Sequence, residues 1–313
     1  MVEAILKVAG GLPAGYSKVG DDVATVPARA GRLVVKADML VESTDVPKGM
    51  SYRQAARKAV AACVSDFAAK GARPDSFLVS IGLRKRTKAR EVRSLGEGFR
   101  DAGREWGVRL VGGDTNESKE LVIDCSMVGF SRRVVGRVGA KEGDALVVTG
   151  KFGYPPAGLK ILAGGARSEE GFRRAAVGSV LLPSPNLKVG LALGRHLSSA
   201  MDSSDGLARS IHTLAKASGV GFELRKLPLA AGVKKFAREN GLDWEELVLE
   251  GGEEYVVVGT VKAKGVAAAA KAAKRAGGRL EVIGLATSRA DGVVLSSKGK
   301  KREIADAGWT HLG

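Results

Sequence analysis

Short apolar runs alternate with alanine-rich stretches along nearly the whole chain, and this alternation limits the folds open to it. LVVKADMLV (33–41), VRLVGG (108–113), LVIDCSMVGF (121–130), GDALVVTG (143–150) and EEYVVVGTV (253–261) read as strands. Residues 51–71, a stretch near 88–105, one starting near Gly206 and VAAAAKAAKRAG (266–277) read as helices, the last closed by a glycine. Strands alternating with helices require α/β or α+β layers. A chain of 313 residues is long enough for about two domains. The natural junction lies near 130–143, in the charged, glycine-rich SRRVVGRVGAKEGD, dividing the chain into 1–137 and 138–313.

Composition excludes several classes. No apolar run reaches the ~18 residues of a membrane span. The first residues contain Glu3 and Lys7 and no long apolar stretch, so no signal peptide is expected. The only cysteines, Cys63 and Cys125, rule out a disulfide framework and point to the cytoplasm. Both lie in apolar positions and read as small core residues. The net charge of +16 invites a nucleic-acid reading. Against it, Lys and Arg are scattered, their tightest cluster is KGKKR at 298–302, and aromatics make up only 5%, leaving few platforms for stacked bases. The charge reads mainly as a solvated basic surface.

In so basic a chain the placement of aspartates is informative. Asp21 and Asp22 (VGDDVA), Asp38 (VVKADMLV), Asp66 (CVSDFAAKGA), Asp114 (LVGGDTNES), Asp202 and Asp205 (AMDSSDGLA) all sit beside small residues at the ends of apolar runs. Take 51–71 as a helix with Ser51 as N-cap and Gly71 just past its end. At ~100° per residue, Tyr52, Ala55, Ala56, Ala62 and Cys63 fall within about 60° of Ala59 and Asp66 within about 20°, whereas Arg53, Arg57 and Lys58 fall outside the stripe. Asp66 thus points inward near the C-terminal end of the helix, where an anion is disfavoured. It needs a cation: either a structural Lys or Arg, or a metal ion. Repeated Asp with little His or Cys suits a hard cation such as Mg²⁺. His196, His212 and His311 are too dispersed for a metal site.

Carboxylate-bound Mg²⁺ commonly accompanies phosphate, yet no P-loop, GxGxxG or kinase signature is present. Gly112 and Gly113 before Asp114 would let backbone approach a phosphate closely. Ser203 and Ser204 precede the helix expected near Gly206, whose free N–H groups favour an anion. Arg137 could clamp a phosphate oxygen. Each signal also occurs in ordinary turns, and their weight lies in combination.

In combination and in order, VGDDVA (19–24), KADMLV (36–41), VSDFAAKGARP (64–74), VGGDT (111–115), GRVGAKEGDALVVTGKFG (136–153), AGLK (157–160), MDSSDGLA (201–208), ASGVGFEL (217–224) and EGGEEY (250–255) resemble the thiamine-monophosphate kinases. These belong to the superfamily of aminoimidazole ribonucleotide synthetase and selenophosphate synthetase. The resemblance spans almost the whole chain. It implies an α+β fold of two α/β-type domains: an N-terminal sheet domain that binds ATP and Mg²⁺ and builds a homodimer, and a C-terminal α/β domain that completes the active site. It implies direct phosphoryl transfer from ATP to thiamine monophosphate, giving thiamine diphosphate and ADP. By motif match, Asp22, Asp38, Asp66, Asp114, Asp202 and Asp205 would hold several Mg²⁺ ions. Gly113, Asp114, Arg137 and Ser204 would line the ATP site, and Glu253 and Trp309 would meet the substrate. Asp21 is a neighbour of this set.

Phosphoryl transfer needs in-line positioning and charge neutralisation more than covalent chemistry from the protein. The nucleophile, a substrate phosphate oxygen, is already ionised near neutral pH, which matches the absence of a visible general base. The chain departs from the family in places. Lys36 and Ala37 stand where two hydroxyl residues often precede the strand aspartate, so a fixed cation appears there. Asp45 stands where a histidine commonly meets substrate, and its anion suits the thiazolium cation or is a loop carboxylate. Cys63 replaces a usual asparagine. Among relatives, a selenophosphate synthetase would need a reactive N-terminal Cys, and none precedes Cys63. A hydrogenase-maturation dehydratase would need a C-terminal Cys, and none follows Cys125.

Overall fold

The computed structural model describes residues 21–28, 31–297 and 299–310. The segment with Glu3 and Lys7, Val19 and Gly20 of VGDDVA, Lys298 of the basic cluster, and His311 lie outside them. The alternation seen in sequence resolves into two mixed sheets with helices packed on them.

The first sheet has the order β1-β2-β5-β3-β4. Its strands are β1 (Ala24–Ala28), β2 (Gly31–Val41), β3 (Arg73–Leu83), β4 (Arg109–Glu117) and β5 (Val122–Ser131). Only the β3–β4 pair is parallel. The period of two in β5 sends Ile123, Cys125 and Met127 into the core, while Asp124, Ser126 and Phe130 face the other way. Cross-strand register puts Lys36 opposite Met127 and Asp38 opposite Cys125, on the core side. β4 extends beyond the expected 108–113 and carries GGDT within it.

The helices of this half are α1 (Glu42–Asp45), α2 (Tyr52–Ala69) and α3 (Ala89–Trp106). α2 starts where the sequence predicts. The Ser51 Oγ accepts from the Gln54 amide, and the Gln54 side chain accepts in return from the Ser51 amide. It stops at Lys70, with Gly71 beyond it at φ +59°. Val60, Cys63, Val64 and Phe67 pack with Phe77, Ile123, Cys125 and Met127 in one cluster. Cys63 and Cys125 are core residues, as expected, and the Cys63 thiol donates to the Cys125 carbonyl at 3.1 Å.

The second sheet has the order β12-β11-β8-β10-β6-β9-β7. Its strands are β6 (Ala145–Val148), β7 (Leu197–Ser203), β8 (Gly221–Leu224), β9 (Val256–Val261), β10 (Glu281–Thr287), β11 (Val293–Ser297) and β12 (Lys300–Glu303). Its helices are α4 (Tyr154–Leu162), α5 (Glu170–Leu181), α6 (Leu187–Leu193), α7 (Leu207–Ser218), α8 (Val233–Glu239), α9 (Trp244–Leu249) and α10 (Val266–Arg275). The strand expected at 253–261 begins only at Val256, because Glu253 (φ +66°) and Tyr255 (φ +50°) take left-handed conformations that no strand accommodates.

α2 is shared between the two halves. Its last turn places Ala69 in a cluster with Val189 and Leu193 of α6, Ala200 of β7 and Val257 of β9. The crossing is close enough that a Cβ on Gly190 would lie 2.2 Å from the Ala68 carbonyl oxygen. Gly190→Ala must push α6 off α2 and is expected to destabilise the protein by ~1–3 kcal/mol, the usual range for overpacking. A lower urea midpoint at unchanged slope is the readout.

This shared position corrects one expectation. Arg57 and Lys58, outside the apolar stripe of α2, are nonetheless buried. α3 and the chain around Pro183 cover that side. Arg57 donates to both carboxylate oxygens of Glu105 (2.9 and 2.8 Å) and to the Pro183 carbonyl (2.7 Å), and lies 4.8 Å over the Trp106 ring. Lys58 is only 3% exposed. Helical periodicity separates apolar from polar faces, but a helix packed on several sides buries its cations too.

Candidate active site

Three aspartates from distant segments meet beside the end of α2. Asp22 comes from the segment before β1, Asp66 from the last turns of α2 and Asp202 from the end of β7. All three are buried, and one oxygen from each lies within 4.8 Å of the other two. The inward direction read for Asp66 is therefore correct, and Asp66 is 3% exposed.

Both kinds of counter-charge that Asp66 called for bear on this cluster. Lys36 Nζ lies 2.8 Å from Asp66 Oδ2 and 3.7 Å from Asp38 Oδ2, so a structural lysine is present. Asp22 is gripped from two sides: Lys70 Nζ is 2.6 Å from its Oδ2, and Arg137 Nε donates to its Oδ1 at 2.7 Å. Lys70 also lies 2.6 Å from Asp21. Ser65 Oγ donates to Asp202 at 2.8 Å. Burial works against the Asp22 charge, but Lys70 and Arg137 outweigh it and hold its carboxyl below the usual range. Asp66 goes the other way: burial and the Asp202 charge push it well up, against the pull of Lys36. Burial and Asp22 push Asp202 up to about 6.

These residues fit a hard divalent cation. The donors are all carboxylate oxygens converging in a buried space, as Mg²⁺ prefers. Two of the three carboxyls are pushed up by burial and mutual repulsion, and a bound dication would restore their charged forms. Asp38, less buried, stands at the rim beside Lys36.

The other expected site residues fall around this cluster. Asp114 is exposed on β4, where its carboxylate accepts from the Thr115 amide (2.8 Å), apart from the buried triad. Gly113 lies against β3, where a Cβ would come 2.1 Å from the Val79 carbonyl oxygen. Arg137 makes its ion pair with Asp22. Ser204 and Ser203 accept through their carbonyls from the amides of Glu253 (2.6 Å) and Tyr255 (3.0 Å), which joins DSSDG to GGEEY. Asp205 accepts through its carbonyl from the Trp309 amide at 3.0 Å, and the Trp309 ring is largely exposed. Asp45 Oδ2 accepts from the Val41 amide (2.7 Å) and the Thr44 hydroxyl (2.9 Å) within its own turn.

Sequence reading missed Lys58 and Lys70. Lys58 donates to the Asp45 carbonyl at 2.8 Å and forms an ion pair with Glu253, tying the two expected substrate residues together across the halves of the molecule. Lys70 is fully buried and donates to the Ala200 carbonyl at 2.7 Å. Neither had a local signal, since Lys58 falls outside the apolar stripe of α2 and Lys70 stands beside the helix-ending Gly71, so both read as surface residues.

Glu254 is a further titrating group. Burial pushes its carboxyl well above the usual range, although the Gly153 amide donates to it at 2.5 Å. The folded form therefore holds its proton more tightly, and stability falls as pH rises above the ordinary glutamate range. Glu254→Gln keeps an acceptor for Gly153 and removes that loss. Its melting temperature is expected to exceed wild type at pH 8 and to converge with it near pH 4, as followed by thermal scans across pH.

Comparisons with known proteins identify the family. The family models of the AIR synthase related protein match here, the N-terminal domain over residues 20–131 and the C-terminal domain over 141–296. The thiamine-monophosphate kinase of Nitrosopumilus maritimus is 37% identical over 280 residues, spanning 90% of this chain and 89% of its own. The chain belongs to the thiamine-monophosphate kinase family. The thiamine-monophosphate kinase of Pyrococcus horikoshii is 30% identical over 296 residues, 94% of this chain and 91% of its own. Of solved structures, AaThiL complexed with AMPPCP and TMP matches with a TM-score of 0.86 at 28% identity, covering 99% of this chain and 96% of that one. The HypE–HypF complex, at 20% identity and a TM-score of 0.76, shares the fold. The two-domain α+β architecture expected from the motifs is the one observed.

Proposed function

We propose that this protein transfers the γ-phosphoryl group of ATP to the phosphate of thiamine monophosphate, giving thiamine diphosphate and ADP. The observation that carries this reading is the buried meeting of Asp22, Asp66 and Asp202 in a member of the thiamine-monophosphate kinase family. Asp22, Asp66 and Asp202, with Asp38 at the rim, would hold Mg²⁺. The bound ion supplies charge neutralisation between two anionic substrates.

The remaining roles are proposed from the motif match. Gly113 and Asp114 on β4, Arg137 and Ser204 form the nucleotide side, and Asp205 joins the ligands there. Arg137 holds Asp22 in place and presents a guanidinium beside the phosphates. Lys58 fixes Glu253 against the Asp45 turn, so Glu253, Asp45 and Trp309 bound the thiamine side. The left-handed backbone at Glu253 and Tyr255 stores strain, held by the two amide bonds to Ser204 and Ser203. The division between the halves is placed at 137/138, between the two family-model matches.

A homodimer would pair through the open face of the first sheet, where Met39, Leu78 and Phe130 are exposed on one side of three adjacent strands. Among the described residues no helix is long and apolar enough to cross a membrane. Use of ATP and the two free cysteines support a cytoplasmic location.

The test is a product assay with ATP, Mg²⁺ and thiamine monophosphate, separating thiamine phosphates by chromatography. Thiamine diphosphate and ADP are expected in equal amounts. ATP consumption without thiamine diphosphate would move the substrate, and no ATP use at all would overturn the reading.

A further inference from the structure

We propose that the Lys36 ammonium occupies one cation position at the Asp38–Asp66 edge of the carboxylate cluster, so that this protein assembles its phosphate site with one divalent ion fewer than the cluster would otherwise take. The inference rests on the reading of that cluster as a metal site.

The geometry carries it. Lys36 and Asp38 are two residues apart on β2 and face the same side, toward α2. Lys36 Nζ reaches Asp66 Oδ2 at 2.8 Å and stands 3.7 Å from Asp38 Oδ2, between two carboxylates that a shared cation would bridge. The lysine side chain is 20% exposed, so the ammonium is not sealed in the core and has donors beyond the one used on Asp66. Such a donor can meet a phosphate oxygen by a charge-assisted bond. Among the carboxylates, Asp22 already has Lys70 and Arg137 on its two oxygens. These pairs leave further lone pairs on each carboxylate, so Asp22, Asp66 and Asp202 would still hold a divalent ion together. Built-in cations thus cover both ends of the cluster, and the ion position displaced by Lys36 is the one between Asp66 and Asp38.

The experiment counts bound Mn²⁺ on the full chain by equilibrium dialysis with electron paramagnetic resonance of the free ion, with and without AMPPCP. Lys36→Ser and Lys36→Ala are compared with wild type and with Lys36→Arg, folding being checked by circular dichroism. Both neutral variants are expected to bind one more Mn²⁺ per chain than wild type, and Lys36→Arg the same number as wild type. Their melting temperatures are expected to rise more steeply with Mg²⁺, since an ion that binds the folded state alone stabilises it by mass action. Neutral variants that bind the wild-type number, with no steeper Mg²⁺ dependence, overturn the proposal while leaving the metal site standing. Wild type binding no Mn²⁺ overturns both.

Discussion

Asp66→Asn is expected to lower thiamine diphosphate formation by at least about 10²-fold in kcat, the scale of losing one preorganised electrostatic group in an active site. The substitution is nearly isosteric, so α2 keeps its packing. What changes is charge: the triad loses a ligand oxygen of full anionic strength, and Lys36 loses the closer of its two carboxylates. The defect should appear in kcat at saturating ATP and shift the Mg²⁺ dependence to higher concentration. Far-ultraviolet circular dichroism would stay near wild type, because the amide fills nearly the same volume at the buried end of α2. Wild-type turnover in this variant would mean that the buried triad is structural and that phosphoryl transfer is organised elsewhere.

Lys70→Met is expected to show the largest loss of stability, about 3–5 kcal/mol, the cost of removing one partner from a buried charge pair. Lys70 is fully buried and holds three separate parts of the molecule together: Asp21 and Asp22 before β1, the end of α2 to which it belongs, and the Ala200 carbonyl of β7. Methionine fills much of the volume but leaves Asp22 with Arg137 alone and the Ala200 carbonyl without its lysine donor. Urea unfolding monitored by fluorescence reads the change directly. A loss below about 1 kcal/mol, the range of an exposed pair, would mean that water reaches this lysine and that the two halves meet less tightly than their contacts imply.

The two variants separate what the cluster does from what holds it. Asp66 sits where charge is used, and Lys70 sits where charge is fixed. Much of the first is legible in the residues: the angular position of Asp66 on a helix capped by Ser51 puts a carboxylate inside the protein. The capping box, the glycine stop at Gly71, the inward-facing strand residues and the two core cysteines are local consequences of residue type and spacing. The clustering of Asp22 and Asp202 with Asp66 was legible only as a resemblance between motifs, since nothing in local sequence brings residues so far apart in the chain to within 4.8 Å of one another.

The residues alone fixed the alternation of strands and helices, the burial of Asp66 with its need for a cation, and the aspartate-rich motifs that mark the family. Only the tertiary structure decided which cations answer those carboxylates. Lys36 follows from the pleat of β2 opposite α2, but Lys58 and Lys70 become buried because the second half of the chain closes over α2. The left-handed turn at Glu253 and Tyr255 cut short a strand that propensity favoured, because DSSDG lies alongside and takes up its amides. The physical reason is common to these cases. Local sequence sets backbone preference and the direction of a side chain, whereas the partner of a charge is set by non-local packing, and in a buried site the partner determines whether that charge is held, shifted or used.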